Sequence, residues 1–207
     1  MEIKKISLGK EKLLMIGEEP SNAKKIVLML HGRGGTAVDI LSLARHFKTE
    51  RVSFIALQAE GNAWYPNRFM LNTTQNEPYL SYNLERIKSI LETFKDKTTY
   101  LLGFSQGACL SLEFLTRNPE LAKGAIALSG GLIGESEELK KHKKNLKDKK
   151  IFMGCSDQDP FIPLTRLKET EETLKKLGAD VNMKIYPGMG HHVNDDEIKT
   201  IKGMLEE

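Results

Sequence analysis

Apolar residues fall along this chain in two alternating patterns: short continuous runs, and longer stretches with helical spacing. Continuous runs are typical of buried strands. They predict strands at residues 26–30, 53–57, 98–102, 125–128 and 150–153. Residues 181–186 alternate between apolar and polar side chains and predict a further strand. Weaker strands at residues 2–8 and 12–17 are expected to form a lead-in hairpin.

Helical periodicity fills the segments between these strands. Leu84, Ile87 and Leu91 recur at a spacing that predicts a helix over about 80–95. Similar patterns predict helices at residues 38–47, 106–117, 164–177 (ended by Gly178) and from about 195, with Asn194 or Asp195 as N-cap. Such strand–helix alternation predicts the α/β class, a mostly parallel central sheet with helices on both faces. Ligands on these sheets bind at the carboxyl ends of the strands.

Composition and charge narrow the class of protein. The 207 residues are 40% hydrophobic and 29% charged, which fits one folded domain over 1–207 rather than a disordered chain. The longest aliphatic run, residues 26–30, is far shorter than the roughly 20 residues of a membrane span, and residues 1–7 lead into no signal-type stretch. Two cysteines, Cys109 and Cys155, exclude a disulfide scaffold and favour a cytoplasmic protein. A net charge of +3 does not indicate nucleic-acid binding.

A candidate nucleophile sits where one predicted strand meets one predicted helix. Residues 103–107 read Gly-Phe-Ser-Gln-Gly, a G-x-S-x-G motif between the strand 98–102 and the helix 106–117. A sharp strand-to-helix turn pushes the serine hydroxyl out above the sheet, and the two glycines leave room for that turn. The alternative, a chance match, would not supply the strand before and the helix after. The sequence therefore predicts Ser105 as a nucleophile.

A serine nucleophile needs a base and an orienting carboxylate. His191 and His192 follow the last strand, and we favour His191 with His192 as an outer neighbour. Asp157 and Asp159 both follow the strand 150–153, and position alone leaves both open. The order Ser, Asp, His is the one expected on an α/β-hydrolase sheet.

Acyl transfer also needs donors for a developing oxyanion. Residues 31–35, His-Gly-Arg-Gly-Gly, close the strand 26–30. We predict the backbone N–H groups of Arg33 and Gln106 as the donor pair. A phosphate loop is excluded because the lysine of that motif is missing, and His31 is interpreted as a structural residue of the loop.

The strand ends also carry large apolar side chains that predict a substrate pocket. The residues expected to line it are Trp64, Tyr65, Phe69, Met70, Leu132, Phe161 and Met189. The alternative for each is ordinary packing on the core. A metal site is not predicted, because the cluster of His191, His192, Asp195 and Asp196 matches no zinc spacing. The lysine-rich stretch 140–150 is interpreted as a solvated surface.

Taken together, these motifs resemble the phospholipase/carboxylesterase family of α/β hydrolases, which includes acyl-protein thioesterases and small bacterial carboxylesterases. The matching segments are residues 30–35, 103–107, 159–163 and 188–191, in the family's order and across most of the chain. The resemblance implies an α/β-hydrolase fold. The predicted strands and helices use nearly all of the 207 residues, so a separate cap domain is not expected. The resemblance also implies Asp159 as the catalytic acid, since Asp159 and not Asp157 begins a D-x-x-[VI]-P segment, and it favours His191 as the base.

The same resemblance implies a function. We expect a serine carboxylesterase that works through an acyl-enzyme, without metal or organic cofactor, on a small-molecule ester or thioester. A thioesterase for acyl-proteins or acyl-CoA, or a lysophospholipase, would use the same machinery. An alternative of another class is a noncatalytic binding protein on a hydrolase scaffold. Small family members often form homodimers, so a homodimer is a further implication.

Overall fold

An eight-stranded sheet runs through the computed structural model, which describes residues 2–47 and 49–206. The strands are β1 (Lys4–Leu8), β2 (Glu11–Gly17), β3 (Lys25–Leu30), β4 (Val52–Leu57), β5 (Thr98–Phe104), β6 (Gly124–Leu128), β7 (Lys150–Ser156) and β8 (Asp180–Tyr186). Their order is β1-β2-β4-β3-β5-β6-β7-β8. β1 pairs antiparallel with β2, and β2 with β4, while all other neighbours are parallel. The predicted hairpin and the mostly parallel sheet are confirmed.

The helices fall between the strands as the periodicity predicts. They are α1 (Ala37–Ser42), α2 (Ala44–Phe47), α3 (Tyr79–Glu92), α4 (Gln106–Arg117), α5 (Ser136–Leu139), α6 (Leu164–Lys176) and α7 (Asp195–Glu206). The single helix predicted over 38–47 is wrong. It is divided at Leu43, whose N–H donates to the carbonyl of Ile40 at 3.2 Å, an i to i+3 bond that tightens the turn. The short α5 was not predicted.

Apolar side chains cover both faces of the sheet. Helices α3, α4 and α6 pack on one face, where Leu84, Leu112 and Leu167 join its core. Helices α1, α2 and α7 pack on the other, through residues such as Leu41, Phe47 and Ile201. Burial on both faces explains why the central strands are continuous apolar runs. The lysines at 140, 141, 143, 144 and 147 are exposed, so the solvated surface predicted there is confirmed.

The register of the sheet brings four loops to one edge. Leu30 of β3 lies opposite Gly103 of β5, and Ser156 of β7 lies opposite Tyr186 of β8. Because these neighbours are parallel, the segments that follow β3, β5, β7 and β8 all leave the sheet on the same side. These segments carry all the residues predicted to take part in catalysis: Arg33, Ser105, Gln106, Asp159 and His191.

Candidate active site

Ser105 occupies a strained turn between β5 and α4. Its φ of +54° and ψ of −117° lie in a region that L residues rarely adopt. Its N–H donates to the carbonyl of Leu128 at 2.8 Å, and its carbonyl accepts from the N–H of Cys109 at 3.1 Å. The turn is therefore held by β6 on one side and by α4 on the other.

The two motif glycines are required by close backbone approaches. A Cβ on Gly103 would lie 2.2 Å from the carbonyl oxygen of Gly107. A Cβ on Gly107 would lie 2.1 Å from the carbonyl oxygen of Leu30. Real Cβ atoms do not approach backbone so closely, so any larger residue would push α4 away from β3 and β5.

His191 and Asp159 form a partly buried pair at the same edge. The Nδ1–H of His191 donates to Oδ2 of Asp159 at 2.7 Å. Oδ1 of Asp159 accepts from the N–H groups of Phe161 (2.9 Å) and Ile162 (3.1 Å). The Asp159 side chain is fully buried, and that of His191 is 17% exposed. Burial alone would raise the pKa of Asp159, but the hydrogen bonds from His191 and the two amides hold that pKa below its ordinary value.

The neighbouring Asp157 has a different role. Its Oδ1 accepts from the N–H of Gly188 at 2.8 Å. Beside it, the hydroxyl of Ser156 accepts from the N–H of Gly190 at 3.0 Å. Both bonds tie the end of β7 to the loop that carries His191. Of the two aspartates, it is Asp159 whose side chain meets the imidazole.

Two aromatic rings flank the His191 imidazole. The ring centroids of Phe104 and Phe161 each lie 4.9 Å from that of His191. With Nδ1 bound to Asp159, Nε2 is left for the cavity that His191 and Ser105 both line. No hydrogen bond joins the Ser105 hydroxyl to His191 within the described residues, and such bonds often tighten only when substrate is bound. His192 is exposed.

The loop after β3 is organised by His31. The N–H of Ala59 donates to Nε2 of His31 at 3.1 Å, so Nδ1 carries the proton that it shares with the carbonyl of Gly32 at 2.7 Å. Burial lowers the pKa of this histidine, which keeps it neutral. With both ring nitrogens engaged, His31 is structural, as predicted.

This loop approaches the nucleophile closely at Gly32. A Cβ on Gly32 would lie 3.3 Å from the Cβ of Ser105. Within residues 2–47 and 49–206, the backbone N–H groups of Arg33 and Gln106 have no hydrogen-bond acceptor. Arg33 follows Gly32 and Gln106 follows Ser105, and both line the cavity of Ser105, so two unpaired backbone donors adjoin this cavity.

The side chains of the same two residues hold the wall of the cavity. Nη2 of Arg33 donates to the carbonyls of Tyr65 (2.8 Å) and Asn67 (2.9 Å). Oε1 of Gln106 accepts from the N–H of Trp64 at 2.9 Å, and its Nε2 donates to the carbonyl of Tyr65 at 2.7 Å. These contacts could not be predicted from the sequence, because the partners are 32 to 42 residues apart.

A cavity of about 810 Å³ opens above Ser105. Four of the residues expected in a substrate pocket line it: Tyr65, Phe69, Met70 and Phe161. Further lining residues are Arg33, Arg68, Leu71, Cys109 and the prolines at 66, 160 and 163. Its walls combine apolar surface with the polar groups around Ser105, which is the usual make-up of a small-molecule site.

Three residues predicted for this pocket lie elsewhere. Trp64 is fully buried, and its indole N–H donates to the carbonyl of His31, in the loop after β3, at 2.7 Å. Leu132 is also fully buried, and its N–H donates to the hydroxyl of Thr170 at 3.1 Å. Met189 lies off the cavity. Each side chain had an apolar core or a polar partner within reach and so turns away from the cavity.

Comparison with known proteins identifies the family of this chain. The model of the phospholipase/carboxylesterase family matches residues 12–207. The chain belongs to this family. A solved phospholipase/carboxylesterase from Dyadobacter fermentans is 35% identical, covers 98% of this chain and 99% of its own, and has a TM-score of 0.88. Acyl-protein thioesterase 1 of Kluyveromyces lactis is 27% identical over 93% of this chain and 95% of its own length. The solved esterase PE8 is 25% identical over 92% and 95%, with a TM-score of 0.76.

Family membership confirms the resemblance drawn from the motifs and the α/β-hydrolase fold that it implied. It makes the chain a carboxylic ester hydrolase. The relatives carry both ester and thioester names, so family membership does not specify which of the two this chain cleaves.

Both cysteines of this hydrolase are free and buried. Burial raises the pKa of Cys109 to about 12, and burial together with the nearby Asp159 raises that of Cys155 to about 12. Both thiols are therefore protonated at neutral pH and are poor nucleophiles.

Among the described residues, no three His, Cys, Asp or Glu side chains are grouped so as to hold a metal ion. Likewise, no helix in the described ranges is long and apolar enough to cross a bilayer.

Proposed function

We propose that this hydrolase cleaves carboxylic esters with Ser105 as nucleophile, His191 as general base and acid, and Asp159 as the residue that orients the imidazole. One observation carries the assignment: Nδ1 of His191 is bound to a buried carboxylate while its ring faces the cavity of Ser105. A histidine held in this way presents the nitrogen that a serine hydroxyl needs.

In the acylation step, Oγ of Ser105 attacks the ester carbonyl carbon and Nε2 of His191 takes its proton. Asp159 stabilises the imidazolium that forms. The tetrahedral intermediate then collapses, the bond to the alcohol breaks, and the alcohol leaves with the proton from His191. In deacylation, His191 takes a proton from water as the water oxygen attacks the acyl-enzyme. The bond to Oγ then breaks, His191 returns the proton to Oγ of Ser105, and the carboxylic acid leaves.

The backbone N–H groups of Arg33 and Gln106 are proposed to stabilise the oxyanion in both steps. This proposal is supported by two observations: both amides lack a protein acceptor within the described ranges, and both residues line the cavity of Ser105. Donors already in place cost no reorganisation when the charge develops. The positive end of α4 adds to their effect.

A thioester is the second candidate substrate. The relative from Kluyveromyces lactis is named an acyl-protein thioesterase, and the same serine chemistry cleaves a thioester. Values of kcat/KM for an ester and a thioester with the same acyl group would separate the two activities. A lysophospholipase is tested in the same panel with a lysophospholipid.

Labelling with a fluorophosphonate probe tests whether the site is active at all. We expect the probe to modify Ser105 in the folded protein, as read by mass spectrometry, and to fail after unfolding in urea. Absence of labelling in the folded protein would favour the noncatalytic binding protein. Reaction of the unfolded chain to the same extent would show that no activated serine exists.

Three further statements belong to this proposal. Residues 1–207 are proposed to fold as one domain without a cap, to act in the cytoplasm, and to form a homodimer as small family members often do. Two reduced, buried cysteines support the cytoplasmic location. Light scattering at micromolar concentration tests the dimer, and a monomer mass would contradict it.

A further inference from the structure

We propose that the preferred substrates of this site are esters that carry a carboxylate, with Arg33 and Arg68 as the residues that recognise it. This inference rests on the proposed ester hydrolysis and specifies its substrate class. The charged side chains around the cavity have no role in the proposed catalytic steps, and they are the basis for this substrate class.

The walls of the cavity carry positive charge only. Arg33 and Arg68 line it, and no aspartate or glutamate does so among the residues that the structure describes. The acid nearest to the chemistry, Asp159, has a fully buried side chain that is paired with His191. A cleft lined by charge of one sign concentrates the field and attracts ligands of the opposite sign.

Arg33 is held in place without being neutralised. Its Nη2 donates to two backbone carbonyls, those of Tyr65 and Asn67. Carbonyl oxygens fix the direction of a guanidinium but leave its net charge uncompensated. Nε and Nη1 have no acceptor within the described chain, so their N–H groups are free to donate to a carboxylate.

Arg68 extends from the same wall, three residues beyond Tyr65. Its carbonyl accepts from Nδ2 of Asn76 and from the N–H of Leu71, both at 3.3 Å, so the backbone is anchored. Its side chain is exposed and has no carboxylate partner in the described ranges. By contrast, the guanidinium of Arg86 is paired with the carboxylate of Glu11 at 2.7 Å.

A cavity of about 810 Å³ has room for an acyl group and an alcohol group together. The carboxylate could therefore sit on either part of the ester, and the chemistry of recognition is the same. The two positions are separated by substrates that carry the charge on one side only.

The experiment compares two matched pairs of esters. For the acyl side, 4-nitrophenyl hydrogen adipate is compared with 4-nitrophenyl hexanoate. For the alcohol side, the acetate ester of 4-hydroxybenzoate is compared with that of 4-hydroxybenzamide. We expect kcat/KM to favour the anionic member of at least one pair by about five- to tenfold at low salt, and the ratio to fall in 0.5 M NaCl (about a 4 Å Debye length).

Variants then assign the effect. Arg68→Gln should lower the anionic-to-neutral ratio by about threefold or more, and Arg33→Gln should lower it as well as reducing kcat/KM for both esters, because it also breaks the bonds to Tyr65 and Asn67. Arg45→Gln is the matched control, since Arg45 is an exposed arginine on α2 on the opposite face of the sheet. It should leave the ratio at the wild-type value.

Ratios near or below one for both pairs would overturn the inference, and so would ratios that Arg68→Gln and Arg45→Gln change equally. If neutral esters are hydrolysed normally in that case, the proposed ester hydrolysis stands without it. If no ester is hydrolysed, calorimetry on Ser105→Ala still decides the matter. Tighter binding of the adipate ester than of the hexanoate ester supports anion recognition, and equal binding contradicts it.

Discussion

The side-chain amide of Gln106 donates to the carbonyl oxygen of Tyr65 at 2.7 Å. Gln106 directly follows the proposed nucleophile, and Tyr65 lines the cavity. The residue proposed to offer its backbone N–H to the oxyanion therefore holds the wall of the cavity with its side chain. The position of the wall and the position of the proposed oxyanion donor are coupled through one residue.

Replacing this amide by a carboxylate tests the coupling. Gln106→Glu keeps an acceptor for the N–H of Trp64 but places an oxygen against the carbonyl of Tyr65. We expect kcat/KM for a neutral aryl ester to fall by about tenfold or more, because the donor to that carbonyl is lost and two acceptors face each other. A loss confined to thermal stability, with kcat and KM unchanged, would assign Gln106 a purely structural role.

The two neighbouring aspartates give a matched pair of substitutions. Asp159→Asn removes the carboxylate that holds His191 and should lower kcat by about 10³- to 10⁴-fold. Asp157→Asn keeps an oxygen for the N–H of Gly188 and should lower kcat by less than about threefold. Steady-state kinetics of both variants decides between the two acids, and a larger loss at Asp157 would reverse the assignment.

Glu197 makes stability depend on pH. It is fully buried against Gly154, and its Oε2 accepts from the N–H of Asn194 at 2.9 Å. Burial raises its pKa to about 7, so between about pH 4.5 and 7 the folded state binds more protons than the unfolded state. The contribution of this group to stability is therefore present at low pH and is lost as pH rises to 7.

Glu197→Gln should remove this dependence. We expect the variant to be more stable than the wild type at pH 8 by about 2 to 3 kcal/mol, and the difference to shrink towards pH 5. Urea denaturation at several pH values measures it. Glu172→Gln is the control, because Glu172 is exposed on α6, and an equal effect of both variants would rule out the buried carboxyl as the cause.

Glycine-to-alanine substitutions test the turn at Ser105. In Gly107→Ala the new Cβ would lie 2.1 Å from the carbonyl oxygen of Leu30, and we expect a loss of at least about 3 kcal/mol in the free energy of unfolding. Gly203→Ala meets no atom within 4 Å on α7 and should instead stabilise by about 0.5 to 1 kcal/mol. Similar values for the two variants would show that the close approach is relieved at little cost.

Much of the fold was predictable because its signals are local. Continuous apolar runs identify the central strands, and helical spacing identifies the longer helices, in each case from a few neighbouring residues. The G-x-S-x-G motif at Ser105 is recognised by the strand before it and the helix after it. The choice between Asp157 and Asp159 depends on which way a side chain turns within one loop. The residues alone left it open, and only the family's motif favoured Asp159.

The errors in the predicted pocket arise where burial in the core determines the direction of a side chain. Trp64 and Leu132 follow strands, where an apolar side chain can turn to the cavity or to the core, and both turn to the core. The roles of the Arg33 and Gln106 side chains could not be predicted either, because their partners lie on a distant loop. Contacts of this kind depend on the assembled fold and leave no periodic signal in the chain.

The central claim is that Ser105 is the nucleophile, and the most direct test is the rate of 4-nitrophenyl ester hydrolysis by Ser105→Ala. Ser129→Ala is the matched control, because Ser129 follows the neighbouring strand β6 with a similar φ of +52° and is fully buried. We expect kcat to fall by about 10⁴-fold or more in Ser105→Ala and by less than about threefold in Ser129→Ala, with both variants folded by circular dichroism. Activity in folded Ser105→Ala within tenfold of the wild type would contradict the account.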